Sequence, residues 1–368
     1  MLSSSKIFSS QKIKISLMVF LCISFCYLVF GQINSRPFER WDEQINVEVV
    51  TQSLNSENPL LLKLNDANFF EKPPIWYYAT EVAVSIFGVN NFSFRIVSAL
   101  SAMCMSIMIF IILKKLAGFY PAIIGCLVFL AIPQLYFINV NGYFSSHILS
   151  SADLDSLQIM LIFFSFFILF YKKISNTTIC LSFLALGLGF LTKGPMVFVP
   201  LIINIFYLVN LKIKLKKIFF GFMFFTVPIV LWLLYMVFNY GANFINEFLG
   251  YHLLSRATQA LEGHNGSIFF YWKIFIDPLA NPFGLVSLFI LAIFIIKTVR
   301  AIITKPQKKL KNPSKEALVS RAFIYSNIFI ISFLLIITAI NTKLAWYILP
   351  VYPFVAIQIG LLFRKISK

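Results

Sequence analysis

The chain has 368 residues, of which 59% are hydrophobic and only 12% charged, and its net charge is +17 at pH 7. A soluble domain is about half apolar and about a quarter charged, so this composition excludes a soluble globular protein. The apolar residues form repeated continuous runs of the length that a bilayer requires, which predicts an all-α, polytopic bundle of transmembrane helices.

In chain order, the apolar runs predict ten membrane spans at 15–31, 94–113, 119–138, 157–171, 177–192, 195–211, 218–238, 274–296, 322–340 and 346–363. The segment 75–89 is shorter and carries Glu81, so we expect a helix that lies at the membrane interface. The first outer loop then covers residues 32–93. We expect residues 1–368 to form a single integral membrane domain with no C-terminal soluble domain.

The loops between these spans divide by charge. The N-terminus, the C-terminus and every second loop hold 22 of the 31 basic residues but a single acid, Glu316. Lys and Arg accumulate on the cytoplasmic side, so both termini are predicted to be cytoplasmic and residues 32–93 external. The charge therefore indicates topology rather than nucleic-acid binding, although the basic loop 297–321 could also touch anionic lipid head groups. All five cysteines lie within apolar runs and match neither metal-site nor disulfide spacing.

The first outer loop is the most polar stretch, and residues 39–71 within it hold half of the 14 acidic residues. Asp42 and Glu43 follow the first span, and an aspartate there could act as a general base or bind a metal. Further along, Glu71 and Lys72 precede two prolines that stiffen the backbone, and a lysine held in this way could meet a lipid phosphate. A solvated carboxylate and a surface ion pair are the plainer alternatives.

The later outer loops carry further candidates. Asp153 and Asp155 precede an apolar helix, where capping of the helix N-terminus is the competing interpretation. Lys193 stands before a Gly-Pro turn between two spans, where lysines often only extend towards the interface. His252 and Arg256 are four residues apart and would share a helix face. Glu247, Glu262 and His264 lie in the same loop, and Asp277, Lys343 and Tyr347 are further polar residues near outer ends of spans.

Several of these motifs together resemble the membrane glycosyltransferases of the GT-C fold. The resemblance is to the bacterial aminoarabinose transferases of lipid A and to the dolichyl-phosphate-mannose protein mannosyltransferases. The pieces run in the family's order: D-E at Asp42, F-E-K-P-P at Phe70, an aspartate at Asp155, F-L-T-K-G-P at Phe190, Y-H-L-L-S-R at Tyr251 and T-K-L-A-W-Y-I-L-P at Thr342. They cover roughly residues 15–363. One departure is Ile45-Asn46, where relatives carry Arg-Tyr.

The resemblance implies transfer of a sugar, with inversion, from a polyprenyl-phosphate donor to a lipid A-like lipid, a protein or a glycan. It implies an active site on the outer face of the cytoplasmic membrane and a divalent metal ion as cofactor. The implied catalytic acids are Asp42 and Asp155, and the implied metal ligands are Glu71 and His252. The residues implied to bind the donor phosphate are Lys72, Lys193, Arg256 and Tyr347.

Two other functions are open at this point. A transporter or lipid flippase would also be polytopic, but transporters place ionisable residues near the bilayer midplane and often show paired repeats. In this sequence the carboxylates gather at the outer ends of spans, and no internal repeat is visible. A catalytically inactive relative that keeps the scaffold is the third possibility.

Overall fold

The computed structural model describes residues 11–139, 146–255, 258–259, 263–304 and 315–364. Within these residues the chain forms thirteen α-helices. They are α1 Gln11–Phe30, α2 Asp42–Leu54, α3 Ile75–Phe87, α4 Asn91–Leu116, α5 Phe119–Leu130, α6 Asp155–Tyr171, α7 Asn176–Lys193, α8 Phe198–Asn210, α9 Leu215–Phe244, α10 Phe270–Ile276, α11 Gly284–Thr304, α12 Lys315–Ala339 and α13 Tyr352–Leu362. A π-helix, Ile245–Ser255, extends α9, and 3-10 turns cover Pro133–Leu135, Pro195–Val197 and Ala345–Val351.

The predicted membrane bundle is confirmed. Six helical segments of the described chain are long and apolar enough to cross a membrane: Gln11–Phe30, Asn91–Leu116, Asn176–Lys193, Leu215–Ser255, Lys315–Ala339 and Ala345–Leu362. Four shorter apolar helices occupy the other predicted segments: Phe119–Leu130, Asp155–Tyr171, Pro195–Asn210 and Gly284–Thr298. The protein is therefore a multi-pass membrane protein, whereas the number of ten crossings stays a prediction.

Two predicted spans have wrong boundaries, and proline explains both. The span predicted at 274–296 is divided, because α10 ends before Asp277-Pro278 and α11 begins only at Gly284. The span predicted at 119–138 ends at Leu130, just before Pro133. Proline lacks an N–H and disfavours helical backbone in the residue before it, so a continuous apolar run did not become a continuous helix.

Helix α6 lies between α4 and α7, and α13 packs against α5, α12 and α4. The contact between α5 and α13 is close because small residues face it. A Cβ on Gly125 would lie 3.2 Å from the carbonyl oxygen of Ala356 and 2.1 Å from Leu113 Cδ1. Small residues let membrane helices approach each other closely. Close packing matters in a bilayer because the lipid provides little hydrophobic driving force for helix association. The result is a closely packed bundle on which the outer loops rest.

The first outer loop folds as a unit on this bundle. Helices α2 and α3 enclose a small apolar core that includes Val50, Trp76 and Tyr77, each buried. Between the helices, the two-residue strands β1 (Lys63–Leu64) and β2 (Ala67–Asn68) pair antiparallel through a turn whose residues, Asn65 and Asp66, have positive φ. Such residues suit a tight hairpin turn. The prediction of an all-α chain missed this hairpin, which is too short to show strand alternation.

The two ends of the bundle differ in charge. Lys115, at the end of α4, donates a hydrogen bond to the carbonyl of Tyr171 at the end of α6. Lys14 Nζ of α1 lies 5.8 Å from the ring centroid of Phe119, the first residue of α5. The starts of α4 and α6 lie at the opposite end, where Arg95 contacts Glu43 of the first outer loop. The helices therefore separate basic loops from acidic loops, as the sequence predicts.

Candidate active site

A cavity of about 140 Å³ opens at the acidic end of the bundle. Its polar lining includes Gln158 and six residues with ionisable side chains: Glu71, Lys72, Asp155, Lys193, His252 and Tyr347. These are six of the eight residues that the sequence predicted for the site. Of the other two, Asp42 lies one contact away, bound to Lys72, and Arg256 lies outside the described residues. Residues in or next to five separate outer loops therefore meet at one place.

The first charged contact at this site joins Asp42 and Lys72. Lys72 Nζ lies 2.7 Å from Asp42 Oδ1 and 3.9 Å from Glu71 Oε1. Asp42 is the first residue of α2, where the helix dipole favours a negative charge, and the prolines after Lys72 lead directly into α3. Burial raises the pKa of the Asp42 carboxyl, but the charges of Lys72 and His147 outweigh it, and that pKa falls well below its usual range. Asp42 is ionised at neutral pH.

A second charged group joins the start of α6 to the end of α7. Lys193 Nζ lies 3.1 Å from Asp153 Oδ1 and 2.5 Å from Asp155 Oδ2. Asp153 Oδ1 also accepts a hydrogen bond from the backbone N–H of Asp155. The predicted alternatives for the two aspartates, capping and function, are therefore both compatible with the geometry. Gly194, at φ 97°, ends α7 immediately after Lys193 and fixes the direction from which the ammonium enters the cavity.

His147 links the two charged groups and is missing from the sequence-predicted site. Its Nε2 lies 3.3 Å from Asp42 Oδ2, 3.2 Å from Asp153 Oδ2 and 4.0 Å from Asp155 Oδ2. The imidazole stacks on Trp346, with ring centroids 3.8 Å apart and planes 6° from parallel. Burial lowers the pKa of His147, but Asp153 and Asp42 reverse this effect and raise it to about 10. His147 has no motif spacing that could have marked it.

The segment that carries His147 is held by polar side chains on one face of α2 and by Glu39, which lies just before that helix. Glu39 accepts hydrogen bonds from the backbone N–H of His147 and from Ser151 Oγ. Glu43 accepts one from the N–H of Ala152, and Asn46 Nδ2 donates to the carbonyl of Ala152 and to Asp153 Oδ2. Residues 39, 43 and 46 follow helical spacing. Polar groups at these three positions therefore hold the segment against α2.

Asn46 belongs to the Ile45-Asn46 pair at which the motif resemblance described above predicts a departure from the family pattern. In addition to its contact with Asp153, its Oδ1 accepts a hydrogen bond from Tyr77 Oη at 2.7 Å. The side chain is completely buried. The Asn46 amide therefore connects α2, α3 and the Asp153 turn.

Arg95 is a further residue that the sequence reasoning missed. It is completely buried in α4 and donates to both carboxylate oxygens of Glu43, at 2.7 and 2.9 Å. It also donates to the backbone carbonyls of Ile33, Arg36 and Pro37. An ionisable residue inside an apolar helix usually has a function, and this signal could have identified it. Through Glu43, Arg95 fixes the helix on which Asp42 stands.

The predicted metal ligands face each other across the cavity. His252 Nδ1 lies 3.9 Å from Glu71 Oε1. Two ligands of one divalent ion, each about 2.0–2.2 Å from it, can stand at such a separation. Another three ligand-type atoms, from Asp42, His147 and Asp153, lie within 4.8 Å of one another. The described part of the chain therefore offers two places at which a cation could be held.

Comparison with known proteins finds several that are similar to this chain. A family model described as dolichyl-phosphate-mannose-protein mannosyltransferase matches residues 71–237. The chain is 28% identical over 250 residues to an uncharacterized protein of Aquifex aeolicus, an alignment that covers 68% of this chain and 56% of that protein. It is 27% identical over 168 residues to an undecaprenyl phosphate-alpha-4-amino-4-deoxy-L-arabinose arabinosyl transferase of Shewanella sediminis, covering 46% of this chain and 29% of the relative.

Solved structures give the fold. ArnT from Cupriavidus metallidurans bound to undecaprenyl phosphate superposes with a TM-score of 0.71 at 19% identity, covering 94% of this chain and 59% of ArnT. The oligosaccharyltransferase of Archaeoglobus fulgidus in complex with Zn and sulfate gives a TM-score of 0.51 at 12% identity, covering 95% of this chain and 49% of the other. This chain thus spans between 29% and 59% of the length of the proteins named here.

The fold and the matched motifs define a class of protein: the chain has the GT-C fold of membrane glycosyltransferases. Within that class it resembles the aminoarabinose transferases of lipid A and the dolichyl-phosphate-mannose protein mannosyltransferases. The resemblance found in the motifs of the first outer loop and of Phe190 to Pro195 is confirmed.

Proposed function

We propose that this protein transfers a glycosyl group from a polyprenyl-phosphate-linked donor to an acceptor on the outer face of the cytoplasmic membrane. The acceptor is a lipid A-like lipid, a protein or another glycan. Residues 1–368 act as one membrane-embedded domain, with both termini in the cytoplasm. The relatives named above support this proposal, since one is an arabinosyl transferase of an undecaprenyl-phosphate sugar and ArnT binds undecaprenyl phosphate.

The observation that carries the proposal is the pair of ammonium groups at the cavity. Lys72 and Lys193 both line it, and each is paired with aspartates. Apolar side chains, among them Met196, Phe248 and Leu253, line much of the remainder. A lipid phosphate has matching chemistry, because it brings an anion for the ammonium groups and a hydrocarbon chain for the apolar wall. Tyr347 and the predicted Arg256 would add donors to the same phosphate.

The reaction exchanges one bond at the anomeric carbon for another. The bond from that carbon to the phosphate oxygen breaks, and the lipid phosphate leaves with the electron pair. The acceptor oxygen or nitrogen attacks from the opposite face, which inverts the configuration, and its proton passes to the Asp42 carboxylate. Positive charge develops on the sugar in such reactions, so an ionised carboxylate that orients the acceptor is useful even when it is a weak base. Asp155 provides a second carboxylate in the same cavity.

A divalent ion fits best at Glu71 and His252 in this proposal. Both residues line the cavity beside Lys72, so an ion there would add positive charge next to the departing phosphate. Burial alone would lower the pKa of Lys72, but the carboxylates of Asp42 and Glu71 raise it well above its usual range, so Lys72 presents a positive charge at this wall. The presence of Zn in the oligosaccharyltransferase structure shows that a GT-C protein can be obtained with a metal ion.

Lys72→Ala tests the role of the phosphate-binding wall. A hydrogen bond to a charged group is worth about 1.5–3 kcal/mol, so transfer from a polyprenyl-phosphate sugar in proteoliposomes is expected to slow by about 10- to 150-fold. Lys63→Ala is the matched control, because Lys63 is a lysine of the same loop that pairs with Asn68 in the hairpin. Equal rates in the two variants would contradict the assignment. Carrier flipping without any sugar transfer would instead favour a flippase.

Cysteine labelling tests the proposed orientation. In a chain whose five native cysteines are replaced, Asp66→Cys places a thiol at the exposed hairpin turn, and Lys173→Cys places one at the other end of the bundle. A membrane-impermeant maleimide is expected to label the Asp66→Cys variant in intact spheroplasts, and the Lys173→Cys variant only after permeabilisation. The reverse pattern would place the candidate site in the cytoplasm.

A further inference from the structure

His147 occupies the position between the two acidic groups of the site. Its side chain is 3% exposed, and its Nε2 makes no hydrogen bond of acceptable geometry with any described residue, although carboxylate oxygens of Asp42 and Asp153 lie 3.3 and 3.2 Å away. On the other side of the ring, Nδ1 lies 2.7 Å from Ser146 Oγ. Nε2 therefore lies at nearly equal distances from two carboxylates, which is the position of a cation that bridges them.

The backbone of the segment is built to hold the ring at this place. His147 has φ 64°, a left-handed conformation that is uncommon for residues other than glycine. Its N–H is held by Glu39 at 2.9 Å, and Trp346 covers the ring face from the last outer loop. An aromatic face stabilises a cation placed against it, which favours the protonated ring. The backbone conformation of His147, the hydrogen bond to Glu39 and the stacking on Trp346 together fix the position of the imidazole.

Three carboxylates, Asp42, Asp153 and Asp155, face His147 Nε2 and share two ammonium groups, Lys72 and Lys193. Glu39, paired with Arg36, accepts the backbone N–H of His147, and Glu71 lies 3.9 Å from Lys72. Carboxylates therefore outnumber the neighbouring ammonium groups, and a protonated ring reduces that excess of negative charge. A divalent ion at this place would require a neutral imidazole as its ligand. It would also stand beside two ammonium groups that already pair with its carboxylates, at 2.7 and 3.1 Å.

We propose that His147 is a positioning residue whose imidazolium joins Asp42 to Asp153, in the place where a metal ion would otherwise join the same carboxylates. The role rests on the proposed glycosyl transfer, because Asp42 is the group positioned. The imidazolium keeps Asp42 ionised and turns one of its oxygens, Oδ2, towards Asp153, while Oδ1 faces Lys72. A divalent ion then has only the Glu71–His252 pair to bind.

The protonation of His147 is measurable without any activity. The chain has three histidines, so a variant that combines His252→Asn with His264→Asn retains His147 alone. With 15N-labelled histidine in nanodiscs, both ring nitrogens are expected to be protonated at pH 7.5, whereas a free imidazole is roughly a tenth protonated there. A ring with one unprotonated nitrogen at this pH would overturn the proposal.

Zinc titration by calorimetry separates this inference from the metal assignment of the proposed function. Zn²⁺ affinity is expected to be unchanged in Asp42→Asn and in His147→Gln, and to fall at least tenfold in Glu71→Gln. A loss of tenfold or more in both Asp42→Asn and His147→Gln would show a metal ion at their site and overturn the proposal. If the wild-type protein bound no Zn²⁺, the metal assignment at Glu71 and His252 would be wrong. The same result would support the proposal that Asp42 and Asp153 are joined without a metal ion.

The effect on Asp42 appears in the pH profile of transfer. Without the imidazolium the pKa of Asp42 rises, so in His147→Gln the acid limb of kcat/KM is expected to move to higher pH and the plateau to fall. In His147→Lys, which restores a positive charge, the acid limb is expected to return towards that of wild type. A lower plateau with an unmoved acid limb in His147→Gln would show a purely structural role and overturn the proposal.

Discussion

Asp42→Asn is expected to lower the rate of glycosyl transfer by about 10²- to 10⁴-fold, which is the usual contribution of a positioned acid or base. The amide keeps the size of the side chain but cannot take a proton from the acceptor. It also removes the negative partner of Lys72, 2.7 Å away, and of His147. The measurement is transfer of a radiolabelled sugar from its polyprenyl-phosphate carrier to extractable acceptor in proteoliposomes.

Asp66→Asn is the matched control for this experiment. Asp66 is an aspartate of the same outer loop, exposed at the hairpin turn, and asparagine tolerates its left-handed backbone. Its rate is expected to equal that of wild type. If Asp42→Asn also retained the full rate, Asp42 would not be the catalytic carboxylate, and Asp155 would be the next candidate because it lines the cavity.

Arg95→Met is expected to destabilise the fold by about 3–5 kcal/mol, because removal of one partner from a buried ion pair leaves the other charge uncompensated. Methionine fills much of the space of the arginine stem, but Glu43 then keeps a buried carboxylate, and three backbone carbonyls lose their donor. The measurement is the free energy of unfolding in detergent, from denaturant titration followed by tryptophan fluorescence.

Two further variants show whether the buried pair is the cause. Arg40→Met changes an exposed arginine of the same loop and is expected to alter the free energy of unfolding by less than about 0.5 kcal/mol. Glu43→Gln combined with Arg95→Met removes both charges and is expected to recover part of the loss. A double variant less stable than the sum of its parts would contradict the ion pair as the source of stability.

Much of the site was predictable because its residues are polar within an apolar chain. Glu71, Lys72, Asp155, Lys193, His252 and Tyr347 were chosen from motifs and lie around one cavity. Their roles remain predictions. His147 and Arg95 were not found, for different reasons. His147 has no motif spacing, and its importance comes from contacts with residues far away in sequence. Arg95 was detectable as a charge in an apolar helix, but its partner Glu43 is 52 positions away.

The sequence by itself determined the membrane class, the helical fold and the separation of basic from acidic loops, because these follow from local composition and from the thickness of a bilayer. Only the tertiary structure decided which charges meet. The pairing of Asp42 with Lys72, of Lys193 with Asp153 and Asp155, and of His147 with both groups depends on how α2, α6 and α7 pack. Electrostatic interactions depend on distance and burial, and neither is set by spacing along the chain.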